Sequence, residues 1–506
     1  MPKRKERSDM MKKTRRRFVC MLTLAVFAVF AACAEGTIVI NEDLPSLSQE
    51  ETMEMLSDVT EEYYQDPDIA AELEQEIGIR QIGDPFDEEE GKVMSLGTVV
   101  HEGHTMQCLI DVIGEPGENG KYPLYITLHG GGEGEPEGND SQWFMMYDYY
   151  REAVHSGIYV ACRGITNTWD LHFRPESYPL YDRLIRAMIH MYDADPNRVY
   201  LLGFSAGGDG VYQIAARMAD RFAAANMSSG HPNGVSLRNL LNCPFSIQVG
   251  VRDYYSETAL RCVRGAEFER VLTGYHELLG EGYEHQVLVH VPEGHNYDDH
   301  SSGHVSEVLA DPAAFADPAI VEDMLHSFEE AYNTIVGQED SGLSYFSAEV
   351  NPAFDEAVQR IVKEDFNLET VYVHSSAVDY VSGFTRNPAP KTVVWDLSTR
   401  AEKRTVSSFY WLKADASVTA GLITAFLNGD NAITVYPEEV SGDFSILVNP
   451  ALLDVSRPIQ ITTPEGEFEV RVNPSRETMH ASILETGDPA LAWVAEIPYS
   501  SLSASN

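Results

Sequence analysis

Short, almost uninterrupted runs of apolar residues recur through the middle of the chain and alternate with segments of helical spacing. Two of these runs cover residues 122–128 and 198–204, and two more follow at 244–251 and 286–291. Runs of this length are typical of strands that are buried on both faces of a sheet. Because segments of helical spacing such as 211–218 separate them, the pattern predicts an α/β fold, with a mostly parallel sheet and helices on both faces.

The pattern changes after residue 342. Short runs with alternating polar and apolar positions follow one another there, and turns such as 428–431 and 463–466 separate them. Regularly spaced short strands with such turns predict an antiparallel, sandwich-like all-β domain over residues 343–506. We interpret an aromatic cluster in this domain as buried core, with a glycan-binding platform as the alternative; it comprises Trp395, Phe409, Tyr410 and Trp411.

A third pattern lies upstream of the predicted sheet. Residues 35–95 are acidic, and helical periodicity is confined to 50–56 and 68–77. We favour the interpretation of a solvated spacer with a packing helix over a binding role. The α/β domain is accordingly predicted to cover residues 96–338.

Acidic residues greatly outnumber basic ones. The 506 residues include 79 Asp and Glu against 36 Lys and Arg, which gives a formal net charge of −43 at pH 7. The charge is spread along the chain and is not confined to one tail. Because such a surface repels polyanions, nucleic-acid binding is disfavoured.

Residues 1–34 have the character of an export signal. A basic stretch that ends at Arg17 is followed by an almost wholly apolar stretch, 18–32, and then by Cys33. The apolar stretch is too short for a comfortable membrane span, so we expect an exported bacterial protein. Two processing routes remain open: a lipid anchor at Cys33, the only membrane contact we foresee, or ordinary cleavage that releases a secreted protein. The arginines before Phe18 also resemble a twin-arginine signal.

The cysteines beyond this segment give no sign of a metal site. Their spacing matches neither a zinc site nor a dense disulfide framework. We interpret them as free buried thiols, with a bridge between the last two as the alternative; they are Cys108, Cys162, Cys243 and Cys262.

The strongest chemical signal lies at the end of the run 198–204. Gly203-Phe204-Ser205-Ala206-Gly207 joins this run directly to a helical segment, which is the layout of a nucleophile elbow. The outer glycines are needed where strand and helix cross at close range. Ser205 is therefore predicted to be a nucleophile, and a plain turn serine is the alternative.

The other apolar runs end in the groups that such a serine requires. The run 122–128 leads into a glycine triplet whose backbone N–H groups can face a developing oxyanion. The next two runs lead into an aspartate and then a histidine, so the order along the chain is Ser, Asp, His. The predicted catalytic residues are Ser205, Asp253 and His295, and the predicted oxyanion donors are the N–H groups of Ala206 and of one among Gly130, Gly131 and Gly132.

Some of these residues have plainer interpretations. Asp253 also fits a helix N-cap or a surface turn. His290 competes with His295 as the base, but it lies inside a predicted strand and is assigned a structural role. The histidines and aspartates between His295 and His304 also resemble a metal site, but their spacing fits no helix face, and we predict no metal.

Aromatic residues occur in the loops predicted at the carboxyl edge of the sheet, where ligands bind in α/β folds. Trp143, Trp169 and Tyr254 are the candidate substrate-binding residues. Their rings suit stacking against a sugar or an aryl acyl group. Simple packing of the loops is the alternative.

Over residues 97–336 the chain resembles the α/β-hydrolase superfamily. It is more narrowly similar to secreted bacterial esterases of the polyhydroxybutyrate-depolymerase and feruloyl-esterase type, through the segment 193–200, the doubled Gly207-Gly208 and the closing Gly294-His295. The resemblance implies a Ser/His/Asp hydrolase without cofactor that acts on small-molecule or polymer-linked carboxylic esters. A serine peptidase of the same fold and a non-catalytic carbohydrate-binding surface protein are the alternatives.

Overall fold

The fold is described from a computed structural model of the chain. The description covers residues 37–83, 93–250, 253, 261–290, 295–296, 376–400 and 407–502. The predicted signal sequence, with Cys33, lies outside these residues. Within them, no helix combines the length and the apolar character that a membrane crossing requires.

Helices and strands alternate through the first half of the described chain, and strands dominate the second half. The helices are α1 (Gln49–Gln65), α2 (Pro67–Ile77), α3 (Pro136–Tyr149), α4 (Ser177–Met191), α5 (Ala206–Ala215), α6 (Arg261–Leu279), α7 (Ala377–Ser382) and α8 (Arg476–Thr486). The strands up to residue 290 are β1 (Ile38–Ile40), β2 (Arg80–Gly83), β3 (Val93–His101), β4 (His104–Ile113), β5 (Tyr122–Leu128), β6 (Gly157–Cys162), β7 (Ala194–Phe204), β8 (Ala224–Ser228), β9 (Phe245–Gly250) and β10 (His285–His290). The later strands are β11 (Thr392–Asp396), β12 (Ser408–Phe409), β13 (Leu412–Ala414), β14 (Leu422–Leu427), β15 (Ala432–Glu438), β16 (Phe444–Val448), β17 (Ile459–Thr463), β18 (Gly466–Val472) and β19 (Ala495–Pro498).

A nine-stranded sheet forms the centre of the first half. Its strand order is β10-β9-β8-β7-β5-β6-β4-β3-β2. Strands β5 to β10 are parallel to one another, and β2, β3 and β4 extend the sheet as an antiparallel edge beside β6. The expectation of a mostly parallel sheet is confirmed.

Both faces of this sheet are covered by helices. In β7, Val199 and Leu201 belong to the core that includes residues of α4 and α5, whereas Tyr200 and Leu202 belong to the core that includes residues of α3 and α7. Successive side chains of a strand point to opposite faces, so a strand covered on both sides is apolar at most of its positions. This arrangement explains the uninterrupted apolar runs of the sequence.

The strands described after residue 376 belong to two further sheets, one of which also includes β1. One has the order β1-β18-β17-β15-β14-β11 and the other β12-β13-β16-β19. Most neighbouring strands are antiparallel, as expected, while β15 with β17 and β1 with β18 are parallel. The aromatic cluster is buried, which agrees with a core and contradicts a glycan platform; each of Trp395, Phe409, Tyr410 and Trp411 is at most 4 % exposed.

The acidic N-terminal segment is part of the packed structure. Strand β1 pairs with β18 through Ile38 and Val470. Helix α1 packs against α8, and α2 packs against α4. The inner faces of these helices bury apolar side chains such as Tyr63 and Leu73. Residues 37–83 therefore contain packed helices, which agrees with one part of the interpretation, but they do not form a solvated spacer, because their acidic residues occupy the outer faces of two amphipathic helices.

Buried polar contacts join the C-terminal region to the central sheet region. The guanidinium of Arg386 donates to the carbonyl O of Asp220 (2.8 Å) and pairs with Asp488. The N–H of Tyr410 donates to the carboxylate of the same Asp220 (3.2 Å). Contacts of this kind are costly to separate, because each would leave a buried polar group without its partner.

Candidate active site

Ser205 stands at the junction of β7 and α5. Strand β7 ends at Phe204 and α5 begins at Ala206, so one residue makes the turn. Its backbone angles, φ 57° and ψ −121°, lie in a region that residues with side chains rarely adopt. Two backbone hydrogen bonds hold it there: its N–H donates to the carbonyl O of Ser228 (2.9 Å), and its own carbonyl accepts from the N–H of Asp209 (3.0 Å).

Two glycines permit this turn. A Cβ atom on Gly203 would lie 2.3 Å from the carbonyl O of Gly207, and a Cβ atom on Gly207 would lie 2.0 Å from the carbonyl O of Leu128. Both contacts involve backbone atoms, which cannot turn away as a side chain can. Strand β7, helix α5 and the end of β5 therefore approach one another at distances that only glycine allows.

Ser205, His295 and Asp253 form a continuous hydrogen-bonded chain. Nε2 of His295 is 2.9 Å from Oγ of Ser205, and Nδ1 of His295 is 2.9 Å from Oδ2 of Asp253. An ionised carboxylate can only accept hydrogen bonds, so Nδ1 carries the ring proton and Nε2 is left to accept from the serine hydroxyl. This is the tautomer that a general base for Ser205 requires. The structure thus brings together the three residues predicted as a triad.

Solvent exposure differs between the acid and the histidine of the triad. The side chain of Asp253 is fully buried, whereas that of His295 is 19 % exposed. The ring of Phe204 lies 5.3 Å from the imidazole of His295, and Oγ of Ser229 donates to the carbonyl O of His295 (2.9 Å). His295 is therefore held through both its ring and its backbone, while one side of it remains open.

Gly132, one of the predicted oxyanion donors, has a different role. Its N–H donates to Oδ1 of Asn139 (2.7 Å), so this N–H is already committed. Asn139 lies on α3, is 2 % exposed, and also donates through Nδ2 to Oδ1 of Asn167 (3.2 Å). Asn139 was not predicted as a site residue, because a single asparagine in a helix has no local feature that indicates its partner.

Three other N–H groups are left for an oxyanion. A Cβ atom on Gly130 would lie 3.2 Å from Cβ of Ser205. The glycine loop, residues 130–132, therefore lies directly against the nucleophile. Ala206 is the first residue of α5, and the N–H of a first helical residue has no acceptor within its own helix. The arrangement is compatible with an oxyanion hole made by Ala206 together with Gly130 or Gly131.

Two buried histidines support the glycine loop from behind. The N–H of Gly164 donates to Nε2 of His129 (3.0 Å), so Nδ1 carries the proton and donates to the carbonyl O of Gly130 (2.5 Å). Nε2 of His172 donates to the carbonyl O of His129 (2.9 Å), and its Nδ1 accepts from the hydroxyl of Tyr181 (3.2 Å). Burial lowers the pKa of His172 to about 3 and that of His129 well below its ordinary value. Both rings are therefore neutral near pH 7 and keep this direction of hydrogen bonding.

The three candidate substrate-binding aromatic residues differ in where the structure places them. Trp143 is 4 % exposed and its indole N–H donates to the carbonyl O of Ala161 (2.9 Å), which contradicts the predicted contact with substrate. Trp169 is 47 % exposed, and its Cα lies 3.1 Å from where a Cβ of Gly132 would stand, so it borders the glycine loop. Tyr254 lies outside the described residues.

The alternative of a metal site gains no support from the part of the chain that the structure describes. Among those residues, no group of three or more His, Cys, Asp or Glu could hold a metal ion. Most of the predicted cluster between His295 and His304 lies outside them.

Comparison with known proteins gives only distant likenesses. No protein-family model matches the chain, and no curated protein matches it. Among solved structures, a thermostable esterase aligns at 18 % identity and a TM-score of 0.30, over 50 % of this chain and 63 % of that one. An S-formylglutathione hydrolase from Agrobacterium tumefaciens aligns at 16 % and 0.29, over 43 % of this chain and 92 % of that one. A carboxylesterase from Mesorhizobium loti aligns at 15 % and 0.28, over 40 % and 93 %.

The fold assignment rests on the chain itself. A mostly parallel sheet with helices on both faces, a serine at a sharp strand-to-helix turn, and an acid and a histidine after later strands together define the α/β-hydrolase fold. The chain spans less than two thirds of the length of the thermostable esterase. At these identities and TM-scores the likenesses say nothing of substrate.

Proposed function

We propose that this protein is a serine hydrolase that cleaves carboxylic esters through an acyl-enzyme. The observation that carries the proposal is the pair of 2.9 Å contacts, from Ser205 to His295 and from His295 to Asp253, at a strained elbow. Backbone strain at a serine whose hydroxyl belongs to such a hydrogen-bonded chain is typical of a catalytic nucleophile.

In the first half-reaction, His295 accepts the hydroxyl proton of Ser205 as Oγ attacks the ester carbonyl. Asp253 keeps the imidazole in the tautomer described above and stabilises its protonated form. The oxyanion is bound by the N–H of Ala206 and an N–H of Gly130 or Gly131. Collapse of the tetrahedral intermediate expels the alcohol, which takes its proton from His295.

Water completes the cycle. His295, again neutral, accepts a proton from the water molecule that attacks the acyl-enzyme carbonyl. The second tetrahedral intermediate uses the same oxyanion donors. Its collapse releases the acid and returns the proton to Ser205, so the site needs no cofactor.

The substrate class and the location are further parts of the proposal. Trp169 is an exposed aromatic surface beside the glycine loop, which suits a carbohydrate-linked, hydroxyalkanoate or aryl ester. The sequence resemblance to depolymerase-type and feruloyl-type esterases supports the same substrate classes. We also propose that the protein is exported, as residues 1–34 and the net charge of −43 suggest.

The test compares the wild type with Ser205→Ala. We expect the wild type to react with a fluorophosphonate probe and to hydrolyse short p-nitrophenyl esters, and Ser205→Ala to do neither while keeping its thermal midpoint. Ser417→Ala, at an exposed serine of the C-terminal region, is the matched control and should behave as the wild type. Near-native turnover by Ser205→Ala would refute the proposal, and cleavage of peptide anilides in preference to esters would favour a peptidase.

A further inference from the structure

Arg261 plays no part in the chemistry proposed above, yet it contacts the triad acid twice. It is the first residue of α6, and its N–H donates to the carbonyl O of Asp253 (3.1 Å). Its Nη1 lies 3.3 Å from Oδ1 of Asp253. The side chain of Asp253 is fully buried and that of Arg261 is 16 % exposed, so water screens their interaction weakly.

In these contacts, each oxygen of the Asp253 carboxylate has a different partner. Oδ2 accepts from His295, while Oδ1 faces the guanidinium of Arg261. A buried carboxylate with histidine as its sole partner strongly favours the protonated, charged imidazole. A permanent positive charge on the opposite oxygen weakens that preference, and it also restrains rotation of the carboxylate.

A second carboxylate lies close to this group. Asp209, in the first turn of α5, accepts from the N–H of His231 (2.6 Å). Burial raises the pKa of Asp209 to about 6, and the positive charge of Arg261 and the hydrogen bonds from the His231 backbone and the Asn233 side chain act against that rise. Within the described residues, His295 is hydrogen-bonded to Asp253 and interacts electrostatically with Asp209, while Arg261 contacts Asp253 and acts on Asp209 through its charge.

We propose that Arg261 is a positioning residue for the triad: it fixes the orientation of the Asp253 carboxylate and offsets part of its negative charge, which sets how strongly that carboxylate acts on His295. The inference rests on the proposed serine-hydrolase function and deepens it. Arg261 touches no reacting atom, and its effect reaches the reaction only through Asp253 and His295.

The experiment measures the rate constant of fluorophosphonate labelling of Ser205 as a function of pH in the full protein. Arg261→Gln removes the charge, and we expect the acid limb of the profile to move to higher pH by about one unit, because the protonated imidazole is now favoured. The plateau rate constant should fall about tenfold, since the carboxylate is free to turn. Arg261→Lys retains the charge and should keep the limb within about 0.3 unit of the wild type. Arg80→Gln, at an exposed arginine on β2, controls for loss of a positive charge as such.

The outcomes separate this inference from the function on which it rests. A wild type that labels normally, with an unchanged acid limb in Arg261→Gln or an equal shift in Arg261→Lys, overturns the role of Arg261 alone. A folded wild type that does not label overturns the serine-hydrolase function and this inference together. The thermal midpoint of each variant is measured over the same pH range, because acid unfolding would lower the observed labelling rate constant and imitate the expected shift.

Discussion

Gly207→Ala tests whether the close approach at the elbow is required. The added Cβ atom would lie 2.0 Å from the carbonyl O of Leu128, whereas ordinary contact begins at 3.4 Å, so the two backbones must separate by about 1.4 Å. Leu128 is the last residue of β5, and only His129 separates it from Gly130. The substitution therefore moves the serine and the oxyanion donors relative to each other.

Two effects of opposite sign determine the stability of this variant. Gly207 lies in α5, where alanine is favoured over glycine by about 1 kcal/mol. Overpacking costs about 1–3 kcal/mol in well-packed cores, and the upper end applies because both clashing groups are backbone. We expect a net loss of about 2 kcal/mol. A displacement of about 1 Å in a catalytic constellation lowers the rate about 100-fold, so kcat/KM should fall by about that factor.

Gly274→Ala is the matched control for this experiment. Gly274 also lies in a helix, α6, and a Cβ atom there would meet nothing within 4 Å. The control should be more stable than the wild type by about 0.5–1 kcal/mol and fully active. Urea unfolding midpoints and p-nitrophenyl acetate kinetics of the two variants give the comparison. A Gly207→Ala protein with the midpoint and the rate of the control would refute the steric reasoning.

Three further predictions concern buried polar groups. Asn139→Ala removes the acceptor of the Gly132 N–H, and we expect kcat to fall about tenfold with KM nearly unchanged; an unaltered kcat would contradict its support of the loop. His172, with its pKa lowered by burial to about 3, gains a proton on unfolding below pH 6.5, so its contribution to stability decreases as the pH falls from there towards 3. His172→Gln should flatten the pH dependence of the thermal midpoint in that range, and an unchanged slope would contradict this. Burial raises the pKa of Cys243 to about 12, so iodoacetamide should modify it only after unfolding, as peptide mass mapping would show; rapid modification of native protein would contradict its burial.

The parts of the fold that the sequence predicted are those with a strong local signal. Strand β7 is apolar at each position between Val199 and Leu202 because helices cover both of its faces, and β5 and β9 are also buried and mostly apolar. The elbow was predictable because its glycines and serine are adjacent along the chain. The acid and the histidine follow apolar strands, and parallel strands bring their carboxyl ends to one edge of the sheet.

The features that the sequence did not predict depend on partners distant along the chain. Strand β1 has three residues, and nothing in them identifies Val470 as the pairing partner of Ile38. The role of Arg261 depends likewise on the fold that places it beside the acid. Trp143 did carry a signal: it is followed at helical spacing by Met146 and Tyr147, and all three are buried on one face of α3.

The pairing of β1 with β18 sets an order on the folding of a newly made chain. Synthesis proceeds from the N-terminus, so Ile38 emerges long before its partner Val470, which follows 432 positions later. Contacts between such distant segments form slowly, because a long loop must close before they contribute. The sheet that contains β1 is therefore among the last described parts of the protein to be completed, although β1 is the first of the described strands to be made. Any processing of the chain ahead of residue 38 can take place before this sheet exists.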